Sequence, residues 1–81
     1  MMKLLFFSSK TCGPCKLAKM ALNAIEDDIE ILKLDVEENR QLAEEAGVLA
    51  VPHMVLLDSE GKTVKEHTGV LNVNQLKEFI E

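Results

Sequence analysis

Between residues 3 and 26 an apolar run, a polar break and a helical pattern follow one another, with two cysteines at the junction. Leu4-Leu5-Phe6-Phe7 reads as a buried strand and Ser8-Ser9-Lys10-Thr11 as the loop that leaves it. From Pro14 to about Glu26 the apolar residues recur at helical spacing. Leu17, Met20, Ala21, Ala24 and Ile25 lie on one side, widened by Ala18 and Leu22, while Lys16, Lys19, Asn23 and Glu26 face away. Proline is tolerated only in a first helical turn, so the helix begins close to Cys12. A strand that feeds a helix and is followed by another strand forms a right-handed crossover with the two strands parallel. That unit fixes half of the fold.

The second strand is Ile29, Ile31, Leu32 and Leu34. Asn39 is placed to cap a short helix with Leu42, Ala43 and Ala46 inward, and Gly47 to end it. Met54 to Leu57 is a further buried strand, Asp58-Ser59-Glu60-Gly61 a tight turn, and Lys62 to His67 the return strand with Val64 inward. The turn is too short for a crossover, so these two strands are antiparallel. Asn72 with Gln75 three residues on has the signature of a capping box, and Leu71 and Leu76 have hydrophobic-staple spacing. Val73, Leu76, Phe79 and Ile80 form the inner face of that last helix. The order β-α-β-α-β-β-α gives an α/β fold, a four-stranded mixed sheet with helices on both faces. With 81 residues it forms one domain, residues 1–81.

The formal charge of −5 is unevenly spread. Lys3, Lys10, Lys16 and Lys19 precede the first acid, whereas residues 26–45 hold nine acids against Lys33 and Arg40. A net negative chain without Trp or Tyr is a poor ligand for nucleic acid. The acidic run reads as a solvated face. Met1-Met2-Lys3 before Leu4 to Phe7 imitates a secretory leader, but a four-residue apolar run falls short of the roughly 7–15 such a leader needs. No stretch approaches the ~20 apolar residues of a membrane span. The expectation is a soluble cytoplasmic monomer, in a compartment where a close cysteine pair is redox-active or metal-binding rather than structural.

Thr11-Cys12-Gly13-Pro14-Cys15-Lys16 is the motif that carries chemistry. A Cys-x-x-Cys pair inside a β-α-β unit is a redox signal. At a helix N-terminus the free backbone N–H groups and the macrodipole favour an anion, which stabilises the thiolate of Cys12 over the thiol. Lys10 and Lys16 add positive potential nearby. Cys15, one turn on and deeper, is close enough to close a disulfide. The pair thus divides into an exposed nucleophile, Cys12, and a shielded resolving sulfur, Cys15. Three other readings stand beside this one: an inert structural disulfide, two unrelated buried thiols, and half of a zinc site completed by His53 and His67. His53 is either a partly exposed strand-start residue or a contact at the rim of the site. His67 faces solvent, and Met20 and Met54 have core spacing.

Cys-Gly-Pro-Cys-Lys at a helix start, Val51-Pro52 before a buried strand and Gly69 before the last helix resemble the thioredoxin family over nearly the whole chain. The resemblance implies a thioredoxin-like three-layer α/β/α sandwich. It also implies reversible thiol–disulfide exchange with protein disulfides, those of ribonucleotide reductase or peroxide-detoxifying enzymes among them. No tightly bound cofactor and no metal is implied. Reducing equivalents come from NADPH through thioredoxin reductase, or from glutathione. Pro52 is implied to be cis, leaving the backbone of Val51 free to pair with an extended substrate chain. Thr11, Gly13, Pro14, Val51, Pro52 and His53 are then the substrate-binding residues.

Three features depart from the family pattern. The extra N-terminal strand and helix are absent from this sequence, Thr11 stands where a Trp is usual, and Phe6 stands where thioredoxins bury an Asp that takes the proton of the resolving thiol. Lys33 matches the lysine near that Asp. The short length is also that of glutaredoxins. Those carry Cys-Pro-Tyr-Cys and a Gly-Gly turn, where this chain has Cys-Gly-Pro-Cys and Gly69-Val70. A glutathione-dependent glutaredoxin-type redoxin is the alternative.

Overall fold

A computed structural model describes residues 2–81; Met1, which opens the Met1-Met2-Lys3 run, lies outside them. The elements are β1 (Lys3–Ser8), α1 (Gly13–Asn23), β2 (Glu30–Asp35), α2 (Arg40–Glu45), β3 (His53–Leu57), β4 (Thr63–Thr68) and α3 (Val73–Phe79). They form one four-stranded mixed sheet in the order β2-β1-β3-β4. β1 and β2 are parallel, as the crossover requires, and β1–β3 and β3–β4 are antiparallel.

The two sheet faces bury different cores. Leu4, Phe6, Met54 and Leu56 pack under α1 and α3 with Cys15, Ala18, Leu22, Ile25 and Leu76. Leu5, Phe7 and Val55 pack under α2 with Ala43. This is the three-layer sandwich, and β1 is buried on both faces because it lies inside the sheet. The strands at the margins, β2 and β4, are mostly exposed.

The buried stripe of α1 differs from the one expected. Cys15, Ala18, Leu22 and the following Ile25 face the core, while Leu17 is 61% and Met20 69% exposed, and Ala24 is exposed as well. Cys15, Ala18 and Leu22 also recur at helical spacing, and it is their stripe that packs on the sheet. The helix ends at Asn23, and Ile25 is reached through a turn in which its N–H donates to the carbonyl of Leu22.

Leu42 is likewise 39% exposed rather than inward, and only Ala43 of α2 is buried. Asn39 occupies the cap position but makes no side-chain cap; its Nδ2 donates to the carbonyl of Asp35. Val64 is 47% exposed because β4 is a margin strand. His67 is half-buried rather than solvent-facing, its ring set edge-on to Phe79 at 6.4 Å. Met54 is in the core, and Gly47 ends α2 with φ +73°. The capping box at Asn72 and Gln75 forms in both directions, and Leu71 and Leu76 are buried together.

Candidate active site: a disulfide at the head of α1

Cys12 is the N-cap of α1, extended at φ −87° and ψ 105°. Its N–H donates to the carbonyl of Ser9, which turns the loop so that the side chain faces the helix end. Sγ of Cys12 accepts the backbone N–H of Cys15 at 3.1 Å. The sulfur therefore takes the place that a Ser or Asp oxygen holds at an ordinary N-cap. Pro14 sits in the first turn and subtracts an N–H that would otherwise be unpaired.

Cys12 and Cys15 are joined in a disulfide, with Cα atoms 5.3 Å apart. Cys12 is half-buried and Cys15 only 1% exposed. Gly13 and Pro14 are exposed over the link, and a Cβ at Gly13 would meet nothing within 4 Å. The surface above the sulfurs is open. Cys15 belongs to the same buried cluster as Phe6, Ala18, Leu22 and Met54, all apolar and fully buried.

Phe7 pairs with His53 across β1 and β3. The chain leaving β1 toward Cys12 and the chain entering β3 from Pro52 therefore run off the same end of the sheet. Cys12 and Val51 both pack against the cluster that holds Cys15. The Val51–Pro52 bond is cis. Among the described residues no hydrogen bond involves the backbone N–H or carbonyl of Val51. Thr11 is exposed beside the cysteine loop.

Two residues expected at the site behave differently. Lys10 forms an ion pair with Glu38, Nζ to Oε1 at 3.3 Å. The hydrogen bond to Glu38, then the charges of Glu38 and Asp35, hold the Lys10 ammonium above its ordinary pKa. Its field at Cys12 is thus largely matched, and Lys16, exposed on α1, is the less encumbered cation. The partner Glu38 was not legible because it belongs to a distant loop; only the sheet brings residues 10 and 38 together.

His53 is 7% exposed, not a partly exposed residue. Its side chain lies on the α2 face with Phe7, ring centroids 6.4 Å apart, opposite the face that holds Cys15. Nδ1 is 2.8 Å from Oγ1 of Thr68 and Nε2 is 3.2 Å from Oε1 of Glu66. Both ring nitrogens are occupied, and His67 packs on Phe79, so neither histidine is set to complete a zinc site with the cysteines. Thr68 and Glu66 had no signal in the sequence: counting outward from a turn at 58–61 sets 66 opposite 53, and it is the irregular pairing at Leu56–Leu57 that brings Thr68 there instead.

The model of the family described as Thioredoxin matches residues 2–81. The chain belongs to the thioredoxin family. It is 31% identical over 78 residues to the thioredoxin of Bacillus subtilis, covering 91% of this chain and 74% of that protein. It is 32% identical over 82 residues to NADPH-dependent thioredoxin reductase 3 of Arabidopsis thaliana, covering 96% of this chain but only 15% of that larger protein. Among solved structures, a single-site mutant of the thioredoxin from Halobacterium salinarum superposes with a TM-score of 0.91 at 34% identity, covering 99% of this chain and 72% of that one. The thioredoxin of Fasciola hepatica superposes with a TM-score of 0.87 at 29% identity, over 98% and 77% of the two chains.

Thioredoxins are protein-disulfide oxidoreductases that act without a tightly bound cofactor, and with its Cys-x-x-Cys centre this thioredoxin-family chain is a thiol–disulfide oxidoreductase. The matches favour a thioredoxin over the glutaredoxin-type alternative. Members of the family generally work with thioredoxin reductase and with disulfide-bearing proteins. No helix among the described residues is long and apolar enough to cross a membrane.

Proposed function

We propose that this thioredoxin-family protein reduces the disulfides of partner proteins, with Cys12 as nucleophile and Cys15 as resolving thiol. The Cys12 thiolate attacks one sulfur of the substrate disulfide. The other substrate sulfur leaves as a thiolate and takes up a proton, and a Cys12–substrate mixed disulfide remains. Cys15 loses its proton and attacks Sγ of Cys12; the second substrate sulfur leaves, and the Cys12–Cys15 disulfide closes. Two electrons pass from the dithiol to the substrate. The observation that carries this reading is the acceptance of the Cys15 N–H by Sγ of Cys12 at the head of α1, a contact that strengthens when the sulfur is an anion.

Thr11, Gly13 and Pro14 form the open surface on which the partner sits, and an extended substrate segment pairs with the free backbone of Val51 beside Pro52. Phe6 fills the place of the usual acid, so the proton of Cys15 passes to water or to the departing substrate thiolate. NADPH through a thioredoxin reductase restores the dithiol, a choice supported by the name of the plant relative. The working form is a cytoplasmic monomer of one domain, and ribonucleotide reductase represents its class of substrate.

The test follows NADPH consumption with insulin as the disulfide, once with a thioredoxin reductase and once with glutathione and its reductase. Turnover with the first system that is lost in Cys12→Ser supports the proposal. Activity retained by Cys12→Ser overturns it, and recycling by glutathione alone moves the protein to the glutaredoxin type.

A further inference from the structure

His53 lies one residue from Pro52, and its ring is held on both sides. Glu66 Oε1 only accepts hydrogen bonds when ionised, so in either protonation state of the imidazole Nε2 is the nitrogen that carries a hydrogen toward it. In the neutral ring Nδ1 then accepts a hydrogen bond donated by the Thr68 hydroxyl. One tautomer satisfies the whole arrangement. The geometry of the hairpin supplies it: Thr68 is the direct cross-strand partner of His53, and Glu66, paired with Val55, is its diagonal neighbour on the same face.

The clamp has a neighbour in the backbone. Gly69 N–H donates to the Pro52 carbonyl at 2.8 Å, and Gly69 takes φ +112°, a conformation open to glycine. The Thr68-Gly69 segment thus grips the Pro52-His53 segment twice, once through the backbone and once through the imidazole. Phe7 closes the ring from β1. The grip acts on the side of the sheet opposite Cys15 and leaves the Val51 backbone and the sulfurs uncovered.

We infer that His53 is a positioning residue for disulfide reduction: clamped by Thr68 and Glu66, it fixes the Val51–Pro52 segment in the place where a substrate chain pairs. The inference rests on the proposed strand pairing at Val51. It implies that the clamp matters for a substrate that uses Val51 and not for one too small to reach it. Loosening the clamp weakens binding of an extended polypeptide, while attack by Cys12 on a small disulfide proceeds as before.

The test compares Thr68→Val, which deletes the hydroxyl while keeping side-chain volume, and His53→Phe, which keeps a buried ring, with the unaltered protein. Each is assayed with insulin and with the small aromatic disulfide 5,5′-dithiobis(2-nitrobenzoate). The reduction potential of the cysteine pair is measured in parallel. The expected result is a KM for insulin raised about three- to tenfold, the equivalent of one lost hydrogen bond, with kcat, the small-disulfide rate and the potential unchanged. His53→Gln, which can both donate and accept, restores part of the loss. An unchanged KM in both variants, or a parallel fall in the small-disulfide rate, overturns the inference. Loss of the proposed function shows separately, as insulin reduction that survives Cys12→Ser.

Discussion

Sγ of Cys12 and the backbone N–H of Cys15 stand 3.1 Å apart across the opening turn of α1. The same short stretch that brings the two sulfurs together therefore also stabilises charge on the first of them. A free thiol has a pKa of about 8.5, and a helix N-terminus lowers it. In the reduced protein Cys12 is expected to ionise below the free-thiol value, and Cys15, enclosed by apolar side chains, above it. Thiolate absorbance near 240 nm or the pH dependence of alkylation distinguishes the two. A Cys12 that ionises no more readily than free cysteine contradicts the mechanism.

Replacing Cys15 with Ser is expected to stop the reaction after its first half. Cys12 still attacks, but no second thiol displaces the substrate, so a mixed disulfide accumulates. Non-reducing electrophoresis and intact mass read it directly. Turnover equal to that of the unaltered protein refutes the resolving role.

Lys10 and Glu38 offset one another beside the cysteine loop. Removing the negative partner in Glu38→Gln leaves a lysine whose field at Cys12 is no longer matched. The Cys12 thiolate is expected to be favoured further, most at low ionic strength, with the difference shrinking in salt. A thiolate less favoured in the variant would show that Glu38 acts on Cys12 in some other way.

The two sides of α1 should respond very differently to truncation. Leu22 is fully buried between α1 and the sheet, and Leu22→Ala is expected to cost about 2–5 kcal/mol in denaturant unfolding. Met20 is 69% exposed, and Met20→Ala is expected to stay within about 0.5 kcal/mol of the parent. Equal losses would place Met20 in the core after all.

At α3, Asn72→Ala removes a side chain that accepts the Gln75 N–H at 2.8 Å. The expected cost is about 1 kcal/mol, seen as a lower unfolding midpoint with an unchanged denaturant slope.

Local chemistry was legible in most places where a residue acts on its own neighbourhood, the cap expected of Asn39 being the exception. The capping box, the Gly47 stop, the proline in the first turn of α1 and the crossover from β1 to β2 all follow from spacing within a few residues. The cysteine pair at the helix head follows from the same kind of signal. What the sequence hid depends on partners far along the chain. Apolar residues ring most of α1, so periodicity alone could not choose between the Leu17–Met20 side and the Cys15–Ala18–Leu22 side. The sheet took the second side. Val64 looked inward by pattern, but β4 is a margin strand; Leu42 looked inward too, but α2 turns only Ala43 into the core. The Lys10–Glu38 pair and the His53 clamp needed the strand order before they had any meaning.

β2 and β4 each leave one row of backbone N–H and carbonyl groups without a neighbouring strand, an open template for another chain. Along those rims the sequence sets Glu30, Lys33 and Asp35 on one side and Lys65 and Glu66 on the other. A second copy laid edge to edge would have to strip water from these ions. That desolvation cost works against the strand-to-strand stacking to which bare sheet edges are prone.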